Sequence, residues 1–99
     1  MVIKWDGPEP PSEAWLRSQL RDEGLSPYAW SNGAGDVYDT HQHSYHKVIY
    51  VVRGTISFGL PDEDRQVTLG AGDRLELPAG TKHNAVVGSQ GVLCLEAHR

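Results

Sequence analysis

His41-Gln42-His43 sets two imidazoles two residues apart, and His83 adds a third further along the chain. Imidazole binds first-row divalent metals through whichever ring nitrogen keeps its lone pair. In a strand, residues two apart face the same way, roughly 6–7 Å from one another along the backbone, so such a pair can converge on one ion. His83 follows Pro78-Ala79-Gly80-Thr81-Lys82 and opens a candidate strand. A turn of that composition is a rigid way to aim a side chain. Three neutral imidazoles are chemically sufficient for a site and leave coordination positions open. They suit zinc, iron, nickel, manganese or copper, and ligand type does not choose among these. A lone His-x-His is more often a surface or structural pair, so the elements around it decide its meaning.

Those elements are mostly strands. Lys47 to Arg53 is β-branched and aromatic and reads as a strand. Val37 to His43 is a second, carrying the histidine pair. Gly54 marks a tight turn before Thr55 to Phe58, and Pro61-Asp62-Glu63-Asp64 reads as a solvated hairpin tip. Short strands follow at Val67 to Leu69, Arg74 to Leu77, Asn84 to Val87 and Val92 to Glu96, the last two separated by Gly88-Ser89-Gln90-Gly91. Many short strands at about ten-residue spacing argue an all-β sandwich or barrel. One helix precedes them. Ser12 is its expected N-cap, Glu13 suits the positive end of its dipole, and Trp15, Leu16 and Leu20 share a face. Gly24 stops it. Its apolar stripe is expected to pack on the outside of a sheet.

The glycines and prolines around the histidines form a longer pattern. Gly35, five residues, His41-Gln42-His43, three residues, Lys47, six residues and Gly54 resemble the first motif of the cupin superfamily. Gly72, five residues, Pro78-Ala79-Gly80, two residues and His83 resemble the second. The resemblance covers about residues 28–97. It implies an all-β jelly-roll barrel, a double-stranded β-helix, over 28–99, with residues 1–27 as an N-terminal segment whose short helix packs on it. It also implies a metal held by three histidines, here His41, His43 and His83, with a glutamate as fourth ligand. The glutamate position is Lys47, and the second motif's closing asparagine position is Val87, with Asn84 nearby.

Strand parity puts Lys47 on the face of His41 and His43 if the strand runs unbroken through Ser44 to His46. An ammonium beside a divalent cation is repulsive, which leaves several outcomes. Lys47 stays charged and the site is weak or empty. It is neutral and acts as a base, or its tip leaves for a carboxylate such as Glu76 or Glu96. A bulge turns it outward and brings His46 to the metal. The preferred reading is a three-histidine site with Lys47 outside the coordination sphere and Lys47 and Tyr45 as the nearest acid–base groups. Tyr28, Tyr38, Tyr45 and Tyr50 are read as core or interface aromatics, Cys94 as a small buried residue, Arg53 and Arg74 as solvated strand-end charges, and His98 as mobile.

Composition limits the partners. With 99 residues, 38% hydrophobic and 22% charged, the chain reads as one globular domain. A net charge of −4 offers no basic stripe for nucleic acid and no polybasic cluster for a membrane surface. The longest apolar run, Val48 to Val52, is far too short to span a bilayer. No signal-peptide pattern opens the chain and its single cysteine fits a reducing compartment, so a cytoplasmic protein is expected. Residues 1–11 with Trp5, Trp15 and Trp30 offer apolar surface for a homodimer, as the resemblance also implies. The expected function is a small metalloenzyme with an open tri-histidine centre acting on a small, anionic metabolite. The alternative is a non-catalytic small-molecule-binding or sensory module, with or without metal.

Overall fold

A computed structural model describes residues 1–99. The elements run β1 (Val2–Ile3), α1 (Glu13–Asp22), β2 (Tyr28–Asn32), β3 (Val37–His41), β4 (Lys47–Leu60), β5 (Arg65–Leu69), β6 (Arg74–Leu77) and β7 (His83–His98). A single 3₁₀ turn, Pro61–Glu63, closes the β4–β5 hairpin where a polar tip was expected. No helix is long and apolar enough to cross a membrane.

β4 and β7 form the spine. They pair antiparallel from Lys47↔His98 to Gly59↔Asn84. The first part of β4 also pairs with β6, and its last part with β5. β7 pairs with β3 near its start and with β2 near its end. The spine therefore carries β6 and β2 on one half and β5 and β3 on the other. Residues from both halves line one cavity, so the sheet is folded over on itself.

The expected closed jelly-roll barrel does not form. Pairing follows an open path, β1–β6–β4–β7–β2, with β3 branching from β7 and β5 from β4, and no ladder joins the ends. The reason lies in the two long strands. Gly54 and Gly88 to Gly91 were expected to interrupt them as turns. Instead β4 runs 14 residues through Gly54 and β7 runs 16 residues through Gly91, with a register shift between Gly54 and Ile56. Gly54 and Gly91 both have left-handed φ, 81° and 74°. A Cβ on Gly54 would stand 2.0 Å from the Gly91 carbonyl oxygen, so the two backbones touch there. Glycine bulges bend a continuous strand. Each bent strand serves two sets of partners, and pairing branches rather than passing around a ring.

Alternation along these strands divides the core. Ile49, Val51, Ile56, Phe58, Leu75, Leu77 and Cys94 belong to a 12-residue cluster between the two halves. The intervening Val48, Tyr50, Leu95 and Ala97 face the other way and meet Leu16 and Leu20 in a cluster of 6. That places α1 on the outer face of the sheet, as its apolar stripe requires. Ser12 caps it through an accepted hydrogen bond from the Trp15 amide at 3.1 Å. Trp15 leaves the stripe: it is 43% exposed and meets Trp5 edge-on, with ring centroids 5.4 Å apart.

Candidate metal centre

The three histidines converge. One potential ligand nitrogen from each of His41, His43 and His83 lies within 4.8 Å of the others. Metal–nitrogen bonds of about 2.1 Å put tetrahedral ligands about 3.4 Å apart, so the triangle is of a size to close on one ion. The donor set fits a divalent transition metal.

Each imidazole reaches the cluster differently. His41 ends β3, and His83 opens β7 directly opposite it in register. His43 lies beyond the strand. β3 stops at His41, and Gln42 to His46 is irregular, so the expected two-residue alternation does not aim His43. Its carbonyl instead accepts the Gly80 amide at 2.8 Å, which ties it to the Pro78–Gly80 turn that also delivers His83. The His41 ring lies 4.9 Å from that of His43 and 4.2 Å from that of His83.

Hydrogen bonds set the tautomers. His41 Nδ1 donates to the Asp39 carbonyl at 2.7 Å, and His83 Nδ1 donates to the Thr81 carbonyl at 2.9 Å. Carbonyls only accept, so both rings carry the proton on Nδ1 and keep the Nε2 lone pair free. Burial, then the charge of Lys47 and the proximity of His41, hold the His43 pKa below the ordinary histidine value. Burial likewise lowers that of His83, against the opposing pull of the Thr81 carbonyl. Neutral imidazoles are the form that ligates.

Lys47 reaches the cluster even though no unbroken strand joins it to the histidines. Its Nζ lies 3.2 Å from His43 Nε2 and 3.5 Å from Glu96 Oε1. Tyr45 places its hydroxyl 3.2 Å from His43 Nδ1 and stacks its ring on those of His43 and His98. His46 turns away and donates to Glu76 Oε1 at 2.8 Å, so it is not brought to the cluster. At an effective dielectric near 20, a unit charge pair 4 Å apart is worth about 4 kcal/mol, so an ammonium on a ligand nitrogen strongly opposes a dication.

Glu96 is the functional-looking residue that sequence reasoning underused. It entered only as one of two carboxylates that Lys47 might seek. In the fold it is 4% exposed and gathers Trp30 Nε1 at 3.0 Å on Oε1, with His98 Nε2 at 2.7 Å and the Tyr28 hydroxyl on Oε2. Burial alone would raise its pKa; the bonds from Tyr28 and His98 and the charge of Lys47 outweigh it and leave the carboxyl below its ordinary value. His98, expected to be mobile, is instead placed in the sheet: it bonds Glu96 and pairs with Lys47 in the last register position of the spine. A charged residue two positions from buried Cys94 on an apolar strand was the available signal.

These groups open on a cavity of about 320 Å³. Tyr28, Trp30, Tyr38 and Tyr45 line it with His41, His83, Lys47 and Glu96, and Ile49, Ile56, Phe58 and Ala85 form the apolar wall. Tyr50 takes no part, since it faces α1 and accepts from Arg74 at 3.1 Å. Arg74 is 7% exposed rather than solvated, and Cys94 is fully buried as expected, its thiol pushed up to about 12 by burial.

Comparison with known proteins agrees with this architecture. A family model described as Cupin domain matches residues 32–95. Among solved structures, KdgF from Halomonas sp. is similar at 32% identity, with 76% of this chain and 69% of that one covered and a TM-score of 0.60. The polyketide cyclase RemF from Streptomyces resistomycificus is similar at 26% identity over 75% of this chain and 54% of that one, TM-score 0.67. The DMSP lyase DddQ from Ruegeria pomeroyi DSS-3 is similar at 25% identity over 76% of this chain and 38% of that one, TM-score 0.68. No curated protein matches the chain. With the family model covering most of the sequence and its histidines meeting at one point in the fold, the chain belongs to the cupin family.

Proposed function

We propose that the protein is a metal-dependent enzyme acting on a small anionic metabolite, with His41, His43 and His83 holding one divalent transition metal and Lys47 and Tyr45 managing protons beside it. The observation that carries this reading is the convergence of three ligand nitrogens within 4.8 Å, with His41 and His83 lining a cavity of about 320 Å³. When bound, the metal supplies a Lewis acid with open coordination positions. The chain supplies orientation and protons. Lys47 and Glu96 are of opposite sign and nearly cancel, so a dication on neutral imidazoles leaves the site electropositive and favours an anionic oxygen donor. Lys47 Nζ and Tyr45 Oη both carry protons at the edge of the cavity, beside His43. Ile49, Ile56, Phe58 and Ala85 supply an apolar wall against which a bound molecule can pack. A cyclase and a lyase among the similar structures support an enzyme over a passive binder.

A non-catalytic binding module is the second reading. One observation favours it: Lys47 contacts His43 and pairs with Glu96 without an ion, and no buried side-chain nitrogen or oxygen lacks a partner. A screen of metal-loaded protein against small carboxylates and carbonyl compounds, read by mass spectrometry, separates the two. The enzyme reading expects turnover that falls at least about 100-fold in Lys47→Met or Tyr45→Phe while metal is retained. Binding without turnover, unaffected by metal removal, selects the module. We also place the protein in the cytoplasm as a homodimer, supported by its one buried cysteine and by exposed Ile3 and Trp15 on the N-terminal side. Sedimentation as a monomer would remove the dimer.

A further inference from the structure

Two of the three histidines are ready to ligate and one is not. His41 and His83 spend Nδ1–H on backbone carbonyls and keep Nε2 free. His43 has both nitrogens engaged, with Tyr45 at Nδ1 and Lys47 at Nε2, each at 3.2 Å. An ammonium has donors only, and a neutral imidazole has one lone pair. The lone pair of His43 therefore points at Lys47. An ion that uses it must displace the ammonium, and the ammonium must then find another partner close by.

Glu96 fits that need in detail. Its Oε2 already accepts from Tyr28 and His98, whereas Oε1 accepts only from Trp30. A carboxylate oxygen accepts two hydrogen bonds, so Oε1 has one place left. Lys47 Nζ stands 3.5 Å from that oxygen, and a shift of well under 1 Å along a flexible four-carbon stem would complete the bond. Glu76, the other carboxylate near the end of the spine, lies on the opposite face of the strands and is engaged by His46, Arg74 and Arg99.

We propose that Glu96 receives the Lys47 ammonium when a divalent metal enters the histidine cluster, which makes Glu96 a positioning residue for metal binding that need not touch the ion. Lys47 gives up its contact with His43 Nε2 and closes the remaining distance to Glu96 Oε1. The lysine at the family's glutamate position is then a displaceable occupant of the site, and the carboxylate behind it holds the displaced charge. The inference rests on the three-histidine reading above.

A double-mutant cycle in zinc affinity, measured by competition with a chromophoric chelator, tests it. Lys47→Met should bind zinc about 10-fold more tightly than the unaltered protein, and Glu96→Gln about 10-fold more weakly. The Glu96→Gln penalty should shrink at least several-fold in the Lys47→Met background, because the carboxylate acts through the lysine. A purely structural role for Glu96 would give the same penalty in both backgrounds and would overturn the proposal. So would a Lys47→Met affinity equal to or below that of the unaltered protein while His83→Ala still abolishes binding. Should Glu96→Gln fail to fold, as thermal melting would reveal, Glu96→Asp takes its place in the cycle, and a penalty that stays the same in the Lys47→Met background overturns the proposal. If no variant binds zinc, the three-histidine reading fails and takes this proposal with it.

Discussion

Under α1, Arg74 bonds both oxygens of Glu23, at 2.6 and 2.8 Å, and reaches Glu76 and the Tyr50 hydroxyl as well. Arg99 and His46 complete that cluster around the same two carboxylates. On the opposite face of the same strands, Lys47 and Glu96 lie beside three histidines at a cavity. The inner pair is buried, whereas the outer cluster joins buried Arg74 and Glu76 to the more exposed Glu23 and Arg99; both pair opposite charges. They differ in what is left over. The outer cluster has every cation held by at least one carboxylate, and none of its residues lines the cavity beside the histidines. The inner one has two free imidazole lone pairs, a third held by an ammonium, and space for a molecule. Parity along β4, β6 and β7 separates them, since odd and even residues of one strand face opposite sides. A buried polar network is structural when its members use one another up, and available for chemistry when lone pairs and space remain.

Breaking the outer cluster should change stability and leave the metal site alone. Arg74→Met removes a buried cation shared by Glu23 and Glu76; since Glu23 is partly exposed and His46 and Arg99 remain, the cost should fall at the low end for a broken buried pair, about 3 kcal/mol. Denaturant titration should show that loss, with zinc stoichiometry unchanged; loss of zinc binding at normal stability would erase the distinction between the faces. Leu16→Ala, at a fully buried site between α1 and the sheet, should cost about 3 kcal/mol in the same measurement.

Acid sharpens the comparison. The Arg74 hydrogen bond, helped by Arg99, holds the Glu23 pKa at about 2 against its ordinary 4.5. Burial would raise Glu76, but His46 and Arg74 outweigh it and lower that carboxyl too. A carboxyl with a depressed folded pKa stabilises the fold fully above its unfolded value. That stability is lost as pH falls from about 4.5 toward about 2. Denaturation midpoints should drop across this window, and Arg74→Met should flatten the drop. A slope unchanged by Arg74→Met would assign acid sensitivity elsewhere. The smallest effect is expected at Ser12→Ala, about 1 kcal/mol for the lost cap, with no change at either cluster.

Much of this was legible in the sequence. The helix, its Ser12 cap and its Leu16–Leu20 stripe are local, and local chemistry determines them. His41, His43 and His83 stood out because glycines and prolines flank them at telling intervals. The open pairing path was hidden because Gly54 and Gly91 look like turns, yet they are bulges inside long strands whose partners lie far along the chain. Arg74 looked like a solvated strand end, because the helix terminus and Glu23 that cover it are 51 residues away in sequence. Glu96 and His98 were obscured for the same reason: their partners Tyr28 and Trp30 come from β2, and only the fold brings those strands together.

The central claim is that His41, His43 and His83 form one metal site. Elemental mass spectrometry on untagged protein, with His83→Ala as control, tests it most directly. About one divalent transition metal per chain is expected after reconstitution, and it should be lost in the control. No metal in the unaltered protein even after reconstitution, or equal metal in His83→Ala, would contradict it.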